Sequence, residues 1–249
     1  MTQLPKVSII TVVYNGASVI EKTIQSVIAQ TYPNIEFLII DGKSKDNTLA
    51  IVERYRDQIV TVISEPDNGI YDAMNKGIQY ATGDYLWFMN AGDLIPEPET
   101  LAKAFETADH ADVVYGETLM MNEDYAPTGL RTYKKLPENL TWRSMRYGMV
   151  VCHQSIIVRK SIAPLYDLKH RYSADIDWTT KVLKKAKKVH NAHLILSKFV
   201  RGGFSTEKRY ASWIDRFKII RKHFGLLTAI WVHIEILFQY LIGKMTGKR

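Results

Sequence analysis

The chain has 249 residues, 46% of them apolar, which is enough to bury one large α/β core with an appended region. A single cysteine, Cys152, excludes a disulfide framework, and residues 1–6 contain no apolar signal core, so we expect the body of the protein in the cytosol. The net charge of +7 combines 8 Lys/Arg against 19 Asp/Glu in residues 1–125 with 25 against 7 in residues 126–249. This asymmetry predicts different partners for the two halves, the basic half meeting an anionic membrane face, a nucleic acid or a phosphorylated substrate.

The first half alternates predicted strands with predicted helices. A continuous β-branched run over Val7–Val13 is typical of a strand covered on both faces of a parallel sheet. Further strands are predicted at residues 36–40, 60–63 and 85–88, with helices around 20–28, 46–55 and 70–80 between them. This alternation predicts a doubly wound parallel sheet, a nucleotide-binding type of fold.

Polar side chains follow each of the four predicted strands. They are Tyr14 and Asn15, Asp41, Glu65 and Asp67, and Asn90 and Asp93. Because the carboxyl ends of parallel strands share one edge, these side chains are expected to line one crevice. No Gly-rich phosphate-binding motif follows the first strand, so a diphosphate would be held by metal and side chains, with Asp93 as the metal ligand. The alternative is that residues 89–93 form a plain turn.

The second half predicts fewer regular elements. Strands are expected at residues 111–115 and 155–158, with a hairpin or mobile loop over 116–138 and a helix beginning near Ser173. His153 lies just before the second of these strands, where a lone histidine is more often a structural hydrogen-bonder than a ligand.

The C-terminal region, residues 206–249, is basic and then apolar. Residues 208–223 contain six Lys/Arg and one acid, Asp215, and residues 226–242 place an apolar face opposite a polar stripe of Thr228, Glu235 and Gln239. The polar stripe and short length argue against a membrane-spanning helix. We expect an amphipathic helix on an anionic membrane surface, and the alternative is packing on the protein's own core or on a second subunit, as in a homodimer. The apolar face comprises Leu227, Ile230, Ile234, Leu237, Phe238 and Leu241.

Four segments together resemble a known family. They are residues 7–15, ending in Tyr14-Asn15, residues 41–48, beginning Asp41-Gly42, residues 65–77, and Asn90-Ala91-Gly92-Asp93. Their order and spacing, from Val7 to Ser205, resemble inverting family 2 glycosyltransferases with the GT-A fold, especially those of bacterial surface-polysaccharide clusters. The resemblance implies a GT-A domain over residues 1–205, with a nucleotide-sugar-binding half over 1–115 and an acceptor-side half over 116–205.

The resemblance also implies roles for residues of the first half. Tyr14 would lie against the nucleotide base, and Asp41 and Asp67 would hydrogen-bond the base or ribose. Asp93 matches the last carboxylate of the family's metal motif, with Asn90 and Gly92 in place of acids, which suits Mn²⁺ or Mg²⁺. The implied donor-binding set is Val12, Tyr14, Asn15, Asp41, Asp67, Asn68, Asn75, Asn90, Ala91 and Gly92.

In the second half the resemblance implies a base and an acceptor side. Asp175 matches the family's general base, with Ala174 replacing the usual Glu, and Asp177 would be a supporting residue. His153 and Gln154 match a His-Gln pair near the diphosphate or acceptor, and Ser205 ends a Gly-Gly-x-Ser segment of the same kind. Met74 departs from the family, because many relatives have Arg there.

The predicted activity is therefore a metal-dependent inverting transfer of a sugar from a nucleotide donor, in particular a UDP-sugar, to a lipid-linked or glycan acceptor. The protein would work at the cytoplasmic face of the cell membrane. Two alternatives remain at this point. A nucleotidyltransferase would share the sheet and the metal, and a nucleic-acid-binding protein would use the basic half, although the acidic half would repel phosphate and no recognition motif is present.

Overall fold

The computed structural model describes residues 4–131, 135–200 and 209–245. Its centre is an eight-stranded mixed sheet in which the order β3-β2-β1-β4-β7-β5-β6 forms one path and β8 pairs with β5. The strands are β1 Val7–Val13, β2 Ile35–Asp41, β3 Thr61–Ser64, β4 Tyr85–Phe88, β5 Val113–Met121, β6 Pro127–Leu130, β7 Ile156–Arg159 and β8 Val189–Val200. The helices are α1 Ile20–Ile28, α2 Thr48–Glu53, α3 Ile70–Tyr80, α4 Thr100–Glu106, α5 Ala174–Lys185, α6 Arg209–Phe224 and α7 Leu226–Met245.

The first four strands form the predicted parallel part of the sheet. Strand β1 pairs in parallel with β2 and β4, and β2 with β3. Alternate residues of β1 point to opposite faces, so Ile9 packs in the core beneath α1, whereas Ile10 packs in the core beneath α3 and α5. Burial on both faces explains the uninterrupted apolar run of β1.

The second half turns the sheet from parallel to mixed. Strand β7 lies between β4 and β5 and is antiparallel to both. The parallel sheet predicted from the first half is confirmed for β1 to β4, and it forms part of a larger mixed sheet. The strand predicted at residues 111–115 is longer, because β5 continues to Met121 and pairs with both β6 and β8. The predicted hairpin is confirmed, since β5 and β6 are antiparallel neighbours.

The C-terminal extension consists of α6 and α7, joined at Gly225, whose φ of +89° is a left-handed conformation that favours glycine at a helix end. Ala229 and Val232 of α7 pack against Ile220 of α6. The predicted apolar face of α7 does not pack on the protein's own core, because Leu227 is 84% and Ile234 57% accessible to solvent. In the described parts of the chain, no helix combines the length and apolar character that crossing a bilayer requires.

Candidate active site

Two predicted donor-binding residues, Tyr14 and Asp67, lie close to Gly42 at the carboxyl edge of the parallel strands. Gly42 follows β2, and a Cβ atom built on it would clash with Asp67 Oδ2 and lie 3.4 Å from Tyr14 Cδ2. Tyr14, after β1, is 60% exposed, and its ring edge lies beside Gly42. Asp67 Oδ1 accepts a hydrogen bond from the Gly69 N–H at 2.9 Å, which holds this carboxylate in place. The edge therefore presents an aromatic ring and a carboxylate across a glycine.

Substituting Gly42 by alanine is expected to weaken donor binding about tenfold, since the new methyl group must displace the Asp67 carboxylate or the Tyr14 ring. Titration calorimetry with nucleoside diphosphates measures this. Gly225, between α6 and α7, provides a control outside the crevice, because a Cβ atom there would meet no atom within 4 Å. Its φ of +89° strains the backbone on substitution, but Gly225→Ala should bind donor as the wild type does. Unchanged affinity in Gly42→Ala would contradict this arrangement of the crevice.

Asp41 and Asn15 use their polar atoms within the protein. Asp41 is fully buried and accepts hydrogen bonds from Ser44 N–H at 3.0 Å, Ser44 Oγ at 2.5 Å and Ser64 Oγ at 2.6 Å. Asn15 donates its N–H to Ser44 Oγ at 2.8 Å and accepts from Lys45 N–H at 2.9 Å. Both residues lie at the crevice edge, where these contacts hold the loop after β2.

Asn68 and Asn75 flank the start of α3 and are also bonded internally. The Asn68 N–H donates to Asp72 Oδ2 at 2.9 Å. The Asn75 side chain is buried, with Nδ2 donating to Tyr166 O at 3.0 Å and Oδ1 accepting from Tyr166 N–H at 2.7 Å. Asn75 thereby fixes the backbone of Tyr166 against α3.

The segment after β4 is both a turn and a candidate site. The Asp93 N–H donates to Asn90 O at 2.9 Å, and the Ala91 N–H donates to Val12 O at 3.2 Å. Gly92 has a φ of +101°, a conformation that L side chains rarely adopt, and its N–H donates to Thr23 Oγ1 at 2.9 Å. The turn thus aims Asp93 at the sheet edge beside β1.

Asp93 is a buried carboxylate that forms no salt bridge with the described residues. Gln154 Nε2 donates to its Oδ2 at 2.7 Å, and burial raises the pKa of Asp93 to about 8. Asn90 Oδ1 is also buried and has no hydrogen-bond partner among the described residues. A buried carboxylate and an unpartnered amide oxygen suit a hard divalent cation such as Mg²⁺ or Mn²⁺, which takes its remaining ligands from phosphate and water. The described residues contain no group of three His, Cys, Asp or Glu side chains able to hold a metal alone.

His153 lies in an aromatic cluster beneath the same edge. Its Nε2 is 2.5 Å from Tyr166 Oη, and its ring lies 5.1 Å from Phe88 and 5.6 Å from Trp178, between centroids. Burial lowers the pKa of His153 to about 4, so the imidazole is neutral at physiological pH. The sequence left two roles for His153, a structural one and one near the diphosphate or acceptor. These contacts are those of a structural histidine.

Asp175 stands at the first turn of α5. Its Oδ1 accepts hydrogen bonds from Ile176 N–H at 2.9 Å and from Tyr71 Oη at 3.3 Å. Burial raises the pKa of Asp175, while the Ile176 N–H and the positive charge of Arg216 act to lower it. A carboxylate with a raised pKa is suited to accepting a proton near neutral pH.

A chain of contacts connects the two carboxylates. Gln154, on Asp93, neighbours His153, which bonds Tyr166, and the Tyr166 ring stacks on Tyr71 at 5.4 Å between centroids. Tyr71 Oη then reaches Asp175. The sequence indicated neither tyrosine as a functional residue, although Tyr71 lies within the segment 65–77. A path of contacts between residues far apart in the chain therefore runs from one carboxylate to the other.

The β5–β6 hairpin reaches this site as well. Burial and the neighbouring Asp93 charge raise the pKa of Tyr125, a residue of the hairpin loop. The Lys22 ammonium lies 3.7 Å from the centroid of the Tyr125 ring. The loop of the predicted hairpin thus brings Tyr125 near Asp93.

Asp177, predicted as a supporting residue, lies where α5 contacts α6. Asp177 is fully buried and accepts from Lys222 Nζ at 3.0 Å, with His223 Nε2 2.7 Å from the same Oδ1 atom. It joins α5 to α6, in keeping with the supporting role expected. Ser205, predicted near the diphosphate or acceptor, lies outside the described residues.

Known proteins resemble this chain in sequence. The sequence model of Glycosyl transferase family 2 matches residues 8–163. The chain is 32% identical over 187 residues to a PGL/p-HBAD biosynthesis glycosyltransferase of Mycobacterium tuberculosis, covering 71% of this chain and 69% of that relative. It is 27% identical over 242 residues to the putative teichuronic acid biosynthesis glycosyltransferase TuaG of Bacillus subtilis, covering 93% and 94%.

Solved structures resemble it in fold. Staphylococcus aureus TarS residues 1–349 in complex with UDP has a TM-score of 0.69 at 21% identity, covering 93% of this chain and 70% of that one. The mannosyltransferase PcManGT from Pyrobaculum calidifontis, in complex with GDP-Man and Mn²⁺, has a TM-score of 0.65 at 15% identity, covering 99% and 81%. These likenesses confirm the predicted GT-A type of sheet, flanked by helices and followed by a helical extension.

Proposed function

We propose that this chain, which belongs to glycosyl transferase family 2, inverts the anomeric carbon as it moves a sugar from a nucleotide diphosphate to an acceptor hydroxyl. The observation that carries the proposal is the path of side-chain contacts that runs from the buried Asp93 to Asp175 through the neighbouring residues Gln154 and His153 and two tyrosines. Family membership favours sugar transfer over nucleotidyl transfer and over nucleic-acid binding.

The reaction is a single displacement in which each carboxylate has one task. Asp175 accepts the proton of the acceptor hydroxyl while the acceptor oxygen bonds to C1 of the sugar. The bond from C1 to the diphosphate oxygen breaks, and its electrons leave with the nucleoside diphosphate. The Tyr71 hydroxyl, at 3.3 Å, orients the Asp175 carboxylate. Asp93 and Asn90 would hold the divalent cation, which supplies positive charge against the departing diphosphate.

The donor and the acceptor class follow from the crevice and the relatives. The Tyr14 ring and the Asp67 carboxylate supply stacking and hydrogen bonding suited to a base and ribose. TarS, which shares the fold, was solved with UDP, and PcManGT with GDP-Man and Mn²⁺, so a UDP-sugar with Mn²⁺ or Mg²⁺ is the proposed pairing. The names of the two sequence relatives support an acceptor in glycolipid or surface-polysaccharide synthesis.

Thermal shift with a panel of nucleotide-sugars, each with and without Mn²⁺, tests the proposed function. A UDP-sugar with Mn²⁺ should raise the unfolding midpoint more than either alone, because a ligand that binds only the folded state stabilises it. No shift from any nucleotide-sugar at millimolar concentration would contradict the proposal. Release of pyrophosphate instead of nucleoside diphosphate would point to nucleotidyl transfer.

The C-terminal helices are proposed to hold the enzyme at the cytoplasmic face of an anionic membrane. Leu227, Trp231 and Ile234 lie on one exposed face of α7, with accessible fractions of 84%, 69% and 57%. Lys218 and Arg221 of α6, the helix that packs on α7, are also exposed. A helical extension that combines an exposed apolar face with exposed basic residues suits anionic headgroups over an acyl layer.

Replacing Leu227, Trp231 and Ile234 together with glutamine is expected to release the protein from phosphatidylglycerol vesicles, as cosedimentation measures. The matched control replaces Val60, Tyr80 and Leu165, which are 60%, 49% and 47% exposed elsewhere, with glutamine and should bind as the wild type does. Equal cosedimentation of the two variants would contradict the membrane proposal. A shift from dimer to monomer in the α7 variant, without loss of lipid binding, would assign the face to a second copy.

A further inference from the structure

Helix α6 hydrogen-bonds the start of α5 immediately before the proposed base. Asp215 of α6 accepts hydrogen bonds on Oδ2 from Tyr172 N–H at 3.1 Å and from Ser173 N–H at 3.2 Å. Its Oδ1 lies 2.6 Å from His170 Nδ1. Asp215, His170 and Ser173 are all buried. One carboxylate of α6 thus binds the two backbone N–H groups that precede Ala174 and Asp175.

Helix α5 begins without a capping hydrogen bond from the side chain of its N-cap residue. Ser173 occupies the N-cap position, yet its side chain makes no capping hydrogen bond. Its Oγ instead lies 3.2 Å from Ser212 Oγ of α6. Beyond the base, α6 holds the same turn again, because His223 Nε2 lies 2.7 Å from Asp177 Oδ1. The turn that carries Asp175 is therefore held on both sides by α6.

We propose that Asp215 is a positioning residue for Asp175, which makes α6 part of the catalytic apparatus. The proposal rests on the proposed function, in which Asp175 takes the acceptor proton. The hydrogen bond from Tyr71 Oη to Asp175 Oδ1, at 3.3 Å, is long, so a small displacement of the α5 turn breaks it. A general base displaced by about 1 Å loses roughly 100-fold in rate without any change in substrate affinity.

The test compares Asp215→Asn with a matched variant, Asp112→Asn, in the full chain. Asp112 likewise accepts from two consecutive N–H groups, Lys187 at 2.7 Å and Lys188 at 3.2 Å, and from Arg159 Nε at 3.0 Å, but just beyond the opposite end of α5. We expect Asp215→Asn to lower kcat about 10-fold to 100-fold with an unchanged donor KM. Asp112→Asn should lose similar thermal stability and keep the wild-type kcat.

Three results would overturn the positioning role: a wild-type kcat in Asp215→Asn, an equal loss of kcat in Asp112→Asn, or a loss confined to donor KM. Should Asp215→Asn fail to fold, Ser212→Ala removes the Oγ–Oγ contact with Ser173 and leaves the Ser212 carbonyl, 3.4 Å from Ser173 Oγ, in place. It should lower kcat by a smaller factor, and an unchanged kcat there would also overturn the proposal. Asp175→Asn is measured alongside. Full transfer by that variant would refute the base assignment itself, a result distinct from failure of the Asp215 proposal.

Discussion

Asp175→Asn is expected to lower kcat for transfer by about 10³-fold to 10⁴-fold while the dissociation constant of the nucleotide donor stays near the wild-type value. The size follows from the loss of a general base, which contributes up to roughly 10⁴-fold. Asparagine keeps the shape of the side chain and still accepts the Ile176 N–H and Tyr71 Oη bonds through its oxygen, so the fold around α5 should persist. Steady-state transfer assays measure kcat, and calorimetric titration measures the dissociation constant of the donor.

Asp167→Asn provides the control. Asp167 is also half-buried and lies near α5, and it accepts from Lys169 N–H at 3.1 Å without contact to Tyr71. Its kcat should stay within about twofold of wild type, as for most substitutions outside the reacting groups. An Asp175→Asn protein that transfers sugar at the wild-type rate would remove Asp175 from the mechanism.

The pH dependence of transfer follows from the same carboxylate. Because burial raises the pKa of Asp175, acidification protonates it at a higher pH than an ordinary aspartate, and kcat should fall as the pH drops through that value. Stability runs the opposite way at this residue. The folded state binds the proton more tightly than the unfolded state, so the contribution of Asp175 is present at low pH and is lost as the pH rises through the folded pKa. Catalysis therefore requires the ionised form that burial disfavours.

Asp93→Asn is expected to abolish the gain in nucleoside diphosphate affinity that Mn²⁺ provides and to lower transfer at least about 10²-fold. Asp93 is the only charged side chain proposed to hold the cation, so the variant should lose the cation. The cation's stabilisation of the departing diphosphate is worth several kcal/mol. The cation-free protein should fold as well as wild type, because the buried carboxyl, with a pKa of about 8, is already uncharged at neutral pH. Calorimetry of UDP with and without Mn²⁺, and thermal unfolding, measure both effects.

Glu36→Gln is the matched control for Asp93→Asn. Glu36 is also buried, but it lies near the start of β2 and accepts from Ser8 Oγ at 2.5 Å and Thr82 N–H at 2.8 Å, away from the carboxyl edge. These hydrogen bonds hold its pKa at about 2, so its substitution should lower the unfolding midpoint yet leave the Mn²⁺ effect intact. A Mn²⁺ effect that survives in Asp93→Asn would show that the cation is held elsewhere.

The first half of the fold could be predicted from sequence because its signals are local. The apolar run of β1 and the helical spacing of α3 give the bounds that the structure has, Val7–Val13 and Ile70–Tyr80. The second half depends on long-range pairing. Strand β7 enters between β4 and β5 in antiparallel orientation, and no local pattern encodes which neighbour a short buried strand selects.

The candidate site was predictable in position and less so in the use of each polar atom. Strand ends place Asp93 and Tyr14 on one edge, but a motif cannot show that Asp41 and Asn75 use their hydrogen bonds within the protein. Tyr166 carries no sequence signal, since its role depends on folding between His153 and Tyr71. The apolar face of α7 was likewise read from spacing, while its exposure follows from which face packs on Ile220.

The stereochemistry of transfer tests the central claim most directly. With an α-linked UDP-sugar, Mn²⁺ and a hydroxyl acceptor, a single displacement with Asp175 as base must yield a β-linked product, which the anomeric proton coupling in NMR identifies for gluco-configured sugars. We expect the β product from wild type and none from Asp175→Asn. An α-linked product would contradict the account, because retention requires a different arrangement of reacting groups.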